Sequence, residues 1–184
     1  MSATQQTTTS TWVIDPVHSA GEFAIKHLMV ATVRGHFKIT DGQIVVNETD
    51  HTASSVTATI DATSINTREE RRDAHLRSGD FFETEKYPTI TFESIRVEKV
   101  DDEEWKVFGN LTFHGVTKEV ELDVEEGGEI RDPYGKQRRG FTAETTVNRS
   151  DFGVTYNSAL ETGGFMLGDR VKITLDIAAV RQDN

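Results

Sequence analysis

Cysteine is absent from the 184-residue chain, which excludes a disulfide framework and thiolate chemistry and suits a reducing compartment. Positive charge is in short supply: 20 Lys and Arg face 31 Asp and Glu, for a formal net charge of -11. That balance excludes sequence-independent nucleic-acid binding, which needs a cationic surface to displace counterions, and a polybasic membrane patch. The acidity reads instead as a solvated surface. No run approaches the roughly 20 apolar residues of a membrane span, so no stable membrane insertion is expected. Met1 to Thr11 has neither a basic start nor an apolar h-region. Residues 1–11 are therefore expected to be a polar, flexible N-terminal segment rather than a secretory signal, and the protein to be cytoplasmic. Residues 12–184 are expected to form one domain, long enough to bury a core.

Strand patterns dominate what is there. Phe23/Ile25 and Phe37/Ile39 flank a short break at period two. Val56, Ala58, Ile60 and Ala62 alternate with polar residues, and Ile90 and Phe92 do the same. Val107, Gly109, Leu111 and Phe113 share one face, as do Val120, Leu122 and Val124. Phe141, Ala143, Thr145 and Val147 follow, and Val171, Ile173, Leu175 and Ile177 alternate most clearly of all. Reversals are predicted at Asn47–Asp50, Asp101–Glu104, Gly127-Gly128 and Asp132–Gly135. The gaps are too short for crossover helices, so the strands should pair antiparallel in a sandwich or barrel.

One segment breaks the pattern. Thr67-Arg68-Glu69-Glu70 fits a capping box, and Arg68–Ser78 then reads as a helix ended by Gly79. Only Ala74 and Leu76 in it are apolar, so it should lie across a barrel end and touch the interior mainly through Leu76. Phe81 and Phe82 follow at once, placed to plug that end.

These stretches together resemble the YceI-like family of lipocalin-like, polyisoprenoid-binding proteins. The resemblance is carried by Trp12-Val13-Ile14-Asp15-Pro16-Val17-His18-Ser19, Val33-Arg34-Gly35-His36-Phe37 and Asp61–Thr67. It continues through Arg72–Phe82, Tyr87–Ser94, Gly109–Thr117, Asn148–Gly153 and Gly168–Val171. It implies an all-β fold: an eight-stranded antiparallel lipocalin-like β-barrel with one short helix at a barrel end, enclosing an apolar tunnel. It implies as partner a polyisoprenoid or other long-chain amphiphile, bound without catalysis by a carrier, store or protector. It also implies that dimers are common, so that a homodimer is expected. Many relatives carry a secretion signal, from which this chain departs.

The residues suit such a ligand. Ten Phe stand against three Tyr and two Trp, and Phe has no polar atom needing a partner in a dry wall. The expected ligand-binding residues are Phe23, Ile25, Phe37, Ile39, Ile60, Phe92, Leu111, Phe113, Phe141 and Ile173 from the strands, with Leu76, Phe81, Phe82 and Phe152. One five-carbon unit withdrawn from water is worth about 3–4 kcal/mol gross. Periodicity alone fits a filled core better than a lined hollow; the family resemblance reverses that preference.

Polar residues offer two readings. His18, Arg34, Arg72 and Arg149 are candidates for head-group or mouth contacts, since guanidinium forks suit phosphate. Alternatively they form an ion-pair network, for instance Arg72 with Asp61, that pins the helix to the barrel. An enzyme acting on such a lipid would need at least two of His18, Arg72, Asp73 and His75 within hydrogen-bond reach inside a cavity. A solid-core module related to stress is the third reading. The six His carry no metal-binding spacing, and His18-Ser19 point to opposite faces of a strand. No catalytic residue, metal or cofactor is expected.

Overall fold

The alternating runs close on themselves. The computed structural model describes residues 8–182. Nine strands are β1 (Thr9–Ile14), β2 (Ala20–His27), β3 (Ala31–Asn47), β4 (Ser55–Asn66), β5 (Thr89–Lys99), β6 (Glu104–Phe113), β7 (Val116–Arg131), β8 (Gln137–Asn148) and β9 (Leu167–Arg181). Every pairing is antiparallel, in the order β1-β3-β2-β9-β8-β7-β6-β5-β4, and β3 also pairs with β4.

Eight positions around the barrel hold these nine strands because β1 and β2 share one. Thr9–Val13 of β1 pair with Gln43–Asn47 of β3, while Gly21–His27 of β2 pair with Ala31–Phe37. β9 meets β1 at Ala179–Arg181 and β2 at Leu167–Asp176. Pro16 interrupts the shared strand, since it has no amide proton to give the ladder. Ser19 repairs the gap: its hydroxyl accepts from the Ala178 amide at 3.0 Å and donates to the Ala178 carbonyl at 3.2 Å. Thr9–Thr11, expected within a flexible lead-in, are thus part of the barrel wall, because their backbone pairs with Val45–Asn47 of β3. Residues 1–7 of that expected segment lie outside the described residues.

The two barrel ends are built differently. At one end lie the β3–β4, β5–β6 and β7–β8 reversals, each organised by an Asn or Asp. Asn47 accepts from the amides of Thr49 and Asp50, Asp101 from those of Glu103 and Glu104, and Asp132 from those of Tyr134 and Lys136. Gly127-Gly128, predicted to reverse the chain, instead lies within β7, toward its C-terminal end. The pairing with β8 shifts register there, with Gly128 at φ +97°, so the glycines make a bulge rather than a turn.

At the other end, α1 (Glu70–Arg77) crosses the opening. Its start differs from the capping box expected of Thr67 and Glu70. Arg68 takes a left-handed conformation (φ 63°), which delays the helix. Glu69 then caps it, accepting from the amides of Arg71 and Arg72. Thr67 is engaged elsewhere: its amide and hydroxyl both donate to the buried Asp73 carboxylate, at 2.8 and 2.6 Å. Ser78, not Gly79, closes the helix through its amide and hydroxyl on the His75 carbonyl.

Several glycines of the barrel surrender volume to large neighbours, Gly109 and Gly21 among them. A Cβ on Gly109 would fall 2.4 Å from the Phe92 ring, and one on Gly21 would fall 3.3 Å from Leu175. Phe92 and Leu175 occupy the space these glycines leave and, with Leu122, form a waist.

Candidate functional site

Above the waist lies a cavity of about 320 Å³, and below it a second of about 140 Å³. Phe92, Leu122 and Leu175 line both. The upper volume falls at the small end of the roughly 300–1,000 Å³ typical of ligand cavities. The interior is thus a hollow in two chambers rather than a filled core, which removes the premise of the solid-core reading.

The upper chamber collects most of the residues expected there. Phe23 and Ile25 come from β2, Phe37 from β3, Ile60 from β4 and Phe92 from β5. Leu111 and Phe113 come from β6 and Ile173 from β9, while Leu76, Phe81 and Phe82 descend from α1 and the turn after it. Phe141 lines the lower chamber. Two expectations need correction. Ile39 is fully buried yet borders neither chamber, since the β3–β4 register shifts just beyond it. Phe152 lies in a 3-10 turn, Arg149–Phe152, and packs behind Phe113 at 5.6 Å between ring centres. It supports the wall without forming it.

Aromatic rings organise the upper end. Phe23, Phe37, Phe82 and Phe113 form a continuous chain at 5.5, 5.3 and 4.9 Å between successive centres. Beside it, His75, Phe81 and Tyr156 make a triangle with every centre 5.1 Å from the other two. That triangle ties α1 to the long β8–β9 connection, so one aromatic cluster roofs the chamber. Tyr156 and Met166, both on that connection, line the cavity and escaped the sequence reading because an irregular segment has no period. Val120, Leu122, Val147, Val171 and Leu175 also line it. Their alternation was visible, and only their depth along each strand was not.

The four candidate polar contacts separate into two pairs. Arg72 and Arg149 line the upper chamber. Arg34 and His18 do not. Arg34 lies between Val33 and Gly35 on β3, and strand alternation turns it outward, 3.8 Å from Glu22. His18 lies on the link between β1 and β2, 2.8 Å from Asp15. The Arg72–Asp61 pair does not form. Arg72 donates instead to the Thr67 hydroxyl (2.7 Å) and carbonyl (2.9 Å), and Asp61 accepts from Thr63.

Arg149 is buried, and its three hydrogen bonds all reach neutral carbonyls: Gly168 at 2.8 Å, Val154 at 3.0 Å and Tyr156 at 2.9 Å. Burial pushes its pKa below the ordinary guanidinium value, with the nearby Asp169 carboxylate opposing the shift. Among the described residues neither Arg72 nor Arg149 has a carboxylate within ion-pair distance. The upper chamber is an apolar pocket with two guanidinium groups on its wall that lack a direct ion-pair partner among the described residues, and with Glu22 at its lining.

Of the acid–base set that catalysis would require, Arg72 and His75 both line the upper chamber but are hydrogen-bonded to Thr67 and Asp80 rather than to each other. Asp73 is held by Thr67, His75 donates to Asp80 at 2.8 Å, and His18 is outside. No cluster of three or more His, Cys, Asp or Glu suited to a metal occurs among the described residues. Nor is any helix among them long and apolar enough to cross a membrane.

A closed antiparallel barrel around an apolar chamber, roofed by one short helix, defines a lipocalin-like architecture. A model of the YceI-like domain matches residues 12–179, and the chain belongs to that family. A UPF0312 protein of Staphylococcus aureus strain N315 is 45% identical over 162 residues, which are 88% of this chain and 92% of that protein. The Campylobacter jejuni YceI protein superimposes with a TM-score of 0.70 at 34% identity, covering 86% of this chain and 90% of that one. Burkholderia cenocepacia BcnA shares the fold at a TM-score of 0.78 and 21% identity, over 90% of this chain and 98% of that one. So does a polyisoprenoid-binding domain from Saccharophagus degradans, at a TM-score of 0.65 and 15% identity, over 93% and 98%.

Proposed function

We propose that the protein binds a long polyisoprenoid or similar amphiphilic chain in the barrel, as a carrier, store or protector, and without catalysis. The observation that carries this reading is the upper chamber, whose wall is apolar from β2 to β9 apart from a few polar groups. Each methylene moved there from water contributes about 0.8 kcal/mol, so affinity grows with chain length without any charged anchor. Much of that gain is offset by the ordering of a flexible chain. The fold shared with a domain named for polyisoprenoid binding supports the choice of ligand.

Arg72 and Arg149 are the residues suited to the polar end of the amphiphile, and the lower chamber, beyond the waist, suits the far end of the chain. The dispersal of His18, Asp73 and His75 over separate hydrogen-bonded pairs supports binding over turnover. Cytoplasmic location and a homodimer remain part of this proposal, and both are read directly by cell fractionation and sedimentation.

Native mass spectrometry of protein purified gently from a bacterial host tests the reading. The expected result is a population heavier than the bare chain by the mass of a lipid, together with a rise in melting temperature when prenols are added. Bare protein alone, with melting indifferent to prenols of every length, would overturn it.

A further inference from the structure

The roof of the chamber carries an exposed apolar tip. Leu28, Met29 and Val30, which join β2 to β3, are 42, 67 and 84% exposed, and Phe165 on the β8–β9 connection is 60% exposed. The two tips form one patch, for the Met29 sulfur lies 2.6 Å from where a Cβ on Gly164 would sit. The patch is held rather than loose. The Leu28 amide donates to the Met166 carbonyl at 2.8 Å, and Ala159 bridges to Phe165. Leu28 and Met29 also adopt left-handed backbone conformations, at φ 51° and 62°. Glycine or asparagine takes that conformation at lower cost, so large apolar side chains there are retained against local strain.

We propose that this patch docks the protein on a lipid bilayer, where the chamber takes up or releases its chain. The inference rests on the reading of the chamber as a lipid site. Three observations favour a bilayer. The patch is the rim of the cavity: His27, Met166 and Leu167, its immediate neighbours in the chain, line the chamber. It is a convex tip of four side chains, too small for a stable protein interface of about 800 Å² per partner but suited to the acyl boundary. Charge also orients the molecule. Lys26 and Arg170 flank the patch and have no carboxylate partner among the described residues. The opposite end presents Glu48, Asp50, Asp101 and Glu103 in its reversals, with Asp102 paired to Lys99 and Asp132 to Arg138, against the single Glu161 in the loop that carries Phe165. An anionic surface therefore repels that end more strongly than this one.

Flotation with large unilamellar phosphatidylcholine vesicles, with and without phosphatidylglycerol, tests the proposal. The full chain is expected to float with the vesicles, and more so with phosphatidylglycerol. The double variant Val30→Asp/Phe165→Asp should lose bound fraction by about tenfold or more, since charge on an inserting face opposes entry. Its melting temperature and its binding of prenol in detergent should stay unchanged. In a separate variant, Val30→Trp, fluorescence should shift to the blue on vesicles and be quenched by brominated lipid. Full chain that stays soluble, or a double variant that floats equally well, overturns docking. So does a dimer, seen by sedimentation, that the double variant dissolves while the full chain ignores vesicles. Flotation retained in a protein that binds no prenol leaves docking standing and fails the chamber reading alone.

Discussion

The two ends of the barrel are closed by opposite chemistries. The lower end is sealed by charge: fully buried Trp12 carries the Arg139 guanidinium 4.6 Å from its ring, and Arg139 faces Glu126 at 3.3 Å and Glu129 at 3.0 Å. The Trp12 indole donates to Ser10 at 2.8 Å, and Ser10 donates to Glu48. The upper end is roofed by rings, with one buried guanidinium, Arg149, bonded only to carbonyls. Ion pairs and hydrogen bonds are directional and tolerate little displacement, whereas ring contacts slide at small cost. The lower end is thus a charged floor, whereas the upper end joins a sheet of ring contacts to the hydrogen bonds of Asp73, Arg72 and Arg149.

Substitutions at each end separate these roles. The largest effect is expected from Arg149→Ala, which removes the donor of three carbonyls at once, the buried Val154 and the half-buried Gly168 and Tyr156. A loss of about 3–5 kcal/mol in urea unfolding is expected, with faster amide exchange across 149–168 than across β1. Uniform exchange at both ends would break the comparison. Arg139→Met keeps much of the bulk over Trp12 but leaves Glu126 and Glu129 unpaired. It should cost about 1–2 kcal/mol, diminish as salt rises, and leave the rate of prenol release unaltered.

The smallest effect sharpens the contrast through pH. Hydrogen bonds from Arg138 and His18 hold the Asp15 carboxyl down at about 2, against an ordinary 3.8. The folded state thus prefers the ionised form. The resulting stability is complete above pH 4 and is lost as pH falls toward 2. Asp15→Asn should cost about 1 kcal/mol at pH 7, after allowance for solvent screening, and the gap to the parent should close across that acid window. A gap constant between pH 7 and pH 2 would assign the cost to packing.

Much of this was legible in the residues. Alternation located the strands and their inward faces, and Val171–Ile177 shows why: period two survives any choice of partner. Three reversals were visible because Asn47, Asp101 and Asp132 each satisfy backbone amides locally. Gly127-Gly128 misled because a bulge and a turn ask for the same residue. Arg34 was readable as outward from its neighbours Val33 and Gly35, and its guanidinium chemistry outweighed that parity. The split between wall and support at Ile39 and Phe152 depends on register shifts and an irregular turn, which periodicity does not encode. The hollow itself comes from volumes summed across facing strands, a long-range quantity that no local window contains.

The shared position of β1 and β2 has a consequence for biosynthesis. Both of them pair with β9, the last strand of the chain. During translation the N-terminal strands emerge first and wait, their greasy sides uncovered, until residues 167–181 leave the ribosome. A hydrophobic guest or a chaperone present in that interval would meet an unclosed trough instead of a finished vessel.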